Sequence, residues 1–196
     1  MGWTSDTSVC NAALGLLGAE GITSLEDDVS TTADLCRLFF PQARDAVLRS
    51  YPWNFAVRRR NAGAPLSSTD PRAPAYEWTY GFLLPTDTDN YCLRVLDTED
   101  GEPYRVEGGV LVCNASSVRY KYIKRVTAIS EWDDNAKESL ATHLAMLLAL
   151  PITKSNKMME SMAQLWSVMR GDSENIDTQE GTPEVIDSDE ILNARY

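Results

Sequence analysis

Histidine is nearly missing from this 196-residue chain. The only one, His143, lies among Leu140, Leu144 and Leu147, where it reads as a packing residue rather than a base or ligand. The four cysteines, Cys10, Cys36, Cys92 and Cys113, stand twenty or more residues apart, so no pair has the spacing of a zinc site or a CxxC redox centre. They are expected to be reduced core residues. There is no P-loop, no GxGxxG pattern and no GxSxG elbow, and Asp87-Thr88-Asp89-Asn90 lacks the glycine and glutamate of a calcium loop. The expectation is a protein that is not an enzyme and holds no cofactor or metal. Long apolar runs are absent too. The longest, residues 144–150, falls far short of the roughly 20 residues that span a bilayer. Met1-Gly2-Trp3-Thr4-Ser5-Asp6 is unlike a signal peptide, so a soluble protein made in the cytosol, with no membrane partner, is expected. Positive charge is also in deficit. Eighteen Lys and Arg face 29 Asp and Glu, for a net charge of −11, which opposes tight binding to phosphate backbones.

What is present is helical period at both ends and strand pattern between them. Val9, Ala12, Ala13, Leu16 and Leu17 share one helical face, with Ser5, Asp6 or Thr7 as N-cap and Gly18 as stop. A Gly/Asp/Ser-rich loop follows, tacked to the core by Ile22 and Leu25. From Thr31-Thr32-Ala33-Asp34 a second helix runs to about Ser50, kinked but not ended by Pro41. Strand signals occupy residues 53–60, 76–84, 91–96, 104–107, 110–113 and 118–126, and Gly108-Gly109 suits a tight hairpin. The loop at 61–74 is expected to be exposed and mobile. Helical period returns near Asp133-Asp134 and stops at Pro151. A fourth helix, capped by Ser155, carries Met159, Met162, Ala163, Trp166 and Met169 to an end at Gly171. That methionine-rich stripe is either core or an adaptable partner surface.

The predicted fold is therefore α+β: a four-helix bundle (residues 1–52 and 127–170) interrupted by a β-strand insertion (53–126), with an extended acidic C-terminal arm (171–196). Tyr51, Trp53 and Phe55 sit where helix gives way to strand and are expected to pack at the junction of bundle and insertion. Arg58, Arg59 and Arg60, with Arg119, Lys121, Lys124 and Arg125, make the insertion the one basic region. They read as a solvated strand face, as partners of acidic neighbours, or as a channel- or partner-facing surface. Residues 171–196 carry −7 of the −11 charge and lose helical period, while keeping Ile186, Ile191, Leu192 and Tyr196 as apolar points of docking.

The residues Val9-Cys10-Asn11-Ala12-Ala13-Leu14-Gly15-Leu16-Leu17-Gly18, Ile22-Thr23-Ser24-Leu25-Glu26-Asp27, Phe40-Pro41-Gln42-Ala43-Arg44-Asp45 and Trp53-Asn54-Phe55-Ala56 together resemble the head-to-tail adaptor family of tailed bacteriophages, the tail tubular protein A type. The likeness is strong over about residues 8–60 and looser beyond. It implies a virion structural protein at the head–tail interface, assembled in the host cytoplasm as a homo-oligomeric ring, twelve copies being the expectation. The implied partners are the portal protein, reached by the C-terminal arm, and a tail nozzle or other tail protein, faced by the insertion. DNA would pass through transiently and non-specifically. Two rival classes are a cell-wall hydrolase acting during DNA entry, with Glu20, Glu26 or Asp27 as acids, and a DNA-binding module using Arg58 to Arg60.

Overall fold

In a computed structural model, residues 3–177 are described. The chain runs α1 (Asp6–Leu16), α2 (Thr31–Ser50), β1 (Val57–Asn61), β2 (Tyr80–Leu83), β3 (Cys92–Thr98), β4 (Tyr104–Glu107), β5 (Val110–Cys113), β6 (Arg119–Lys124), α3 (Asp134–Thr153) and α4 (Asn156–Asp177). Local chemistry sets most of these bounds. Ser5 and Ser8 close a reciprocal capping box on α1, Ser30 caps α2 through the Ala33 N–H, and the Asp133 carboxylate caps α3 through Ala136 N–H at 2.7 Å. Pro41 sits on the exposed side of α2, where water can reach the carbonyl it frees, and the helix continues.

The α+β content is as expected, but the bundle with a single insertion is overturned. The strands form two separate antiparallel sheets of three, in the orders β1-β6-β3 and β2-β5-β4. Nor do the helices enclose a four-helix core. α1 and α2 pack on α3, whereas α4 lies chiefly against α3. The place of a fourth inner helix is taken by the first sheet, because Ala56, Leu93, Ile123 and Val126 join Val9, Leu14, Phe40, Leu48, Leu140 and Leu144 in one hydrophobic core. A second core of Phe82, Val95, Leu111, Cys113, Val118, Tyr120 and Tyr122 joins strands of both sheets.

β6 divides these cores by simple alternation. Tyr120 and Tyr122 point to one face and Ile123 to the other, as the two-residue period of a strand requires. β3 matches β6 only through two register shifts, between Cys92 and Arg94 and between Val95 and Asp97. The extra residues turn Val95 and Thr98, three apart in sequence, to the same side, opposite Tyr122 and Tyr120. β4 and β5 form the expected hairpin, with Gly108 and Gly109 at φ 56° and 81°, the positive values a tight hairpin turn needs.

Three local expectations change. Residues 61–74 are partly docked, since Leu66 N–H donates to Gly81 O at 2.7 Å and the side chains of Leu66 and Pro74 lie against Gly81. α3 runs through Pro151 to Thr153 and ends on Lys154 in the left-handed conformation at φ 53°. α4 continues past Gly171 to Asp177.

Candidate functional site

Two features stand out, an aromatic hinge and a basic cleft. At the hinge α2 ends at Ser50, and Tyr51, Trp53 and Phe55 pass the chain to β1. Their rings run in series, Tyr51 edge-on to Trp53 at 5.2 Å, Trp53 stacked with Phe55 at 6.3 Å, and Phe55 tilted on Trp132 at 5.2 Å. Trp53 is 1% exposed and its indole donates to Val47 O at 3.0 Å, while Tyr51 and Phe55 are half-buried. Trp132 repeats the device, donating to Val126 O at 3.2 Å.

A polar clamp backs the hinge. The Arg125 guanidinium grips Asp45 with two bonds, at 3.1 and 2.6 Å, and lies 3.8 Å over the Tyr91 ring. Arg49 Nη1 donates to Leu93 O at 2.7 Å, holding β3 to the end of α2. Sequence reading places Arg125 in the basic region but misses its partner, eighty residues away.

The basic cleft, about 630 Å³, is lined by Arg59, Arg60, Asn61, Asp97, Thr98, Glu99, Arg119, Tyr120 and Lys121. It exists because Arg119, Lys121 and Ile123 alternate onto one face of β6. At Ile123 that face meets the helical core, and beyond Ile123 the sheet carries Lys121 and Arg119 to the cleft. Arg119 pairs with Glu99, and Asp97 accepts from the Thr98 N–H at 2.8 Å. Arg59, Arg60 and Lys121 make no ion pair among the described residues. Burial pushes the Tyr120 phenol up to about 12 and raises that of Tyr122, with Arg60 opposing the rise in both.

Among the described residues no strand pairs with the outer side of β1. Ala56 O accepts from Lys124 N–H and Ala62 N–H donates to Val118 O, so the paired residues of β1 are the even ones. The backbone groups of Arg59 and Asn61 therefore point away from β6. Arg58 folds back over the same edge, donating to Phe55 O and Val57 O.

The predicted hydrolase acids are not gathered. Glu20, Glu26 and Asp27 are exposed on the loop between α1 and α2, and none lines the cleft. In that loop Asp28 is held at about 2 by hydrogen bonds from the Ser30 and Thr23 backbone, and Asp27 accepts from the Ser24 hydroxyl at 3.1 Å. Among the described residues no group of three or more His, Cys, Asp and Glu could hold a metal ion, and no helix is long and apolar enough to cross a membrane. His143 is buried, stacks on Trp166 at 4.3 Å and leaves Nδ1 without a hydrogen-bond partner. Cys10 and Cys36 are buried side by side, and the hydrogen bond between them, with burial, pushes the Cys10 thiol far up. The predicted docking residues Ile186, Ile191, Leu192 and Tyr196 lie outside the described residues.

No protein-family model matches the chain, and no curated protein matches it in sequence.

Proposed function

We propose that this chain is a head-to-tail adaptor of a tailed bacteriophage. It is a structural virion protein that forms a ring between portal and tail and continues the path of the ejected DNA. One observation carries the reading: the residues that bear the resemblance build the framework. Val9, Cys10, Ala13, Leu14, Ile22, Phe40, Ala43, Trp53 and Ala56 all belong to the single core that joins helices to the first sheet. A likeness on packing residues speaks for a shared scaffold rather than a shared chemistry, which is the pattern a structural protein presents.

On this reading the residues after α4 supply the portal anchor. Each such arm binds weakly alone, and a ring of arms on one symmetric partner gains by effective concentration. The test is to mix the purified protein with cognate portal rings and image the product, using the full chain and a chain ended after Asp177. The full chain should build a symmetric collar, and the shortened one should keep its helical content and thermal unfolding while failing to sediment with portals. Absence of any collar from the full chain, or steady turnover of purified cell wall by it, would overturn the proposal.

A further inference from the structure

We propose that the cleft on the first sheet binds the phosphate monoester of a small hydroxylated molecule, a sugar phosphate. The phosphate is held between Arg59 and Lys121, and the sugar hydroxyls turn to Asp97. The inference stands apart from the adaptor reading, and its test contains no portal.

It begins from a misfit in the strand pairing. Arg59 and Lys121 stand directly opposite each other on β1 and β6. Backbone bonds join these strands at the even residues of β1, so this is a non-hydrogen-bonded pair, the kind that brings opposed side chains closest. Like charges set directly opposite are destabilising. Among the described residues neither cation has an ion pair to relieve the conflict.

The acids that could relieve it are turned elsewhere. Asp97 is the partner of Lys121 on β3, yet its Oδ1 accepts from the Thr98 N–H at 2.8 Å and it makes no ion pair among the described residues. Glu99 is held by Arg119. The cleft therefore keeps two cations abreast with a carboxylate beside them. Asn61, two residues along β1 from Arg59, adds an amide donor to the same lining.

This arrangement selects its ligand. A phosphate monoester carries about −1.5 to −2 at pH 7 and three strong acceptor oxygens, so one group can answer both cations and the Asn61 amide. A carboxylate brings only one charge. On the β3 side Asp97 repels a second phosphate but accepts from hydroxyl groups, which places the sugar there. Nucleic acid fits worse. A run of phosphates would meet Asp97 and Glu99, and Tyr120, the aromatic of the described lining, is 3% exposed and offers no ring on which a base can stack. The cleft's 630 Å³ lies within the roughly 300–1,000 Å³ of small-molecule sites.

The experiment is calorimetric titration of the full chain with ribose 5-phosphate, inorganic phosphate and ribose. Ribose 5-phosphate should bind saturably, with a Kd of about 1 mM as exposed charge pairs allow, and more tightly than inorganic phosphate, while ribose alone should not bind. Arg59→Gln and Lys121→Gln should each weaken ribose 5-phosphate about tenfold or more, whereas Arg58→Gln, outside the lining, should leave it unchanged. Asp97→Asn should weaken ribose 5-phosphate without weakening inorganic phosphate. Affinity should fall severalfold from pH 7 to pH 5, as the monoester takes up its second proton near pH 6. Without ligand, Lys121→Gln should unfold at no lower temperature than the native chain, because it removes one of two opposed like charges, and this separates loss of binding from loss of fold. Absence of saturable binding, or equal binding by the Arg59→Gln/Lys121→Gln double variant, would overturn the proposal. Inorganic phosphate binding as tightly as ribose 5-phosphate would overturn the assignment of the sugar to Asp97. A short oligodeoxynucleotide that binds more tightly than ribose 5-phosphate and is released by salt would assign the cations to nucleic acid instead.

Discussion

Trp53 and Phe55 are near neighbours in one aromatic series, yet they do different amounts for stability. Trp53 is enclosed and its indole N–H is satisfied by Val47 O, so Trp53→Ala opens a cavity and orphans an acceptor. It should cost about 3–5 kcal/mol, measured by denaturant unfolding, enough to leave a domain of ordinary stability largely unfolded. Phe55 keeps part of its ring in water, and Phe55→Ala should cost distinctly less. Equal losses would mean that Phe55 is covered in the working protein by something outside this chain. At the clamp, Asp45→Asn removes the charge that Arg125 binds and should cost about 1.5–3 kcal/mol by the same measurement. Trp53 was legible in the sequence, because a proline stop followed by aromatics marks a change of layer. Trp132 and Asp45 were not, since each matters only through a residue brought close by the fold, and no local period encodes that.

At the scale of elements, α3 and α4 meet through His143 and Trp166. Burial lowers the His143 pKa below its ordinary 6.5, and no charged neighbour contributes. The folded form therefore binds fewer protons than the unfolded form. This contribution is fully present above the ordinary value and is lost as pH falls through 6.5 toward the lowered folded value. Thermal unfolding should shift to lower temperature between about pH 7 and pH 5, and His143→Gln should flatten that slope. A slope unchanged by the substitution would place the sensitivity elsewhere. The sequence marked the start of α3 at its capping aspartates, but its expected end at Pro151 was too early. Proline removes its own N–H and crowds the Leu147 carbonyl one turn back, but with Leu144, Leu148 and Ala149 buried the packed helix continues despite both costs.

For the whole molecule, helices at both ends and strands between were readable from the change of period from 3.6 to 2. The division into two sheets was not. It depends on which strand pairs with which across long stretches of chain, and on the two β3 register shifts, the first reversing the face of Arg94 and Val95 and the second restoring it from Asp97 onward. The basic cleft was half legible for the same reason. Arg59, Arg60, Arg119 and Lys121 were visible as charges, whereas Asp97 and Glu99 come among them only through the pairing of β3 with β6, which no local period encodes.

The central position of β6 and α3 also sets a timetable for synthesis. β6 lies between β1 and β3 in the first sheet, and α3 is the helix on which α1 and α2 pack, yet both are made after residue 118. Until then α1, α2, β1 and β3 have been synthesised with their principal partners unmade. Nascent chains stalled before Arg119 should be bound by chaperones and cut readily by added protease. Chains stalled after Thr153 has emerged should become resistant in a single step, because one late helix and one late strand complete both layers together.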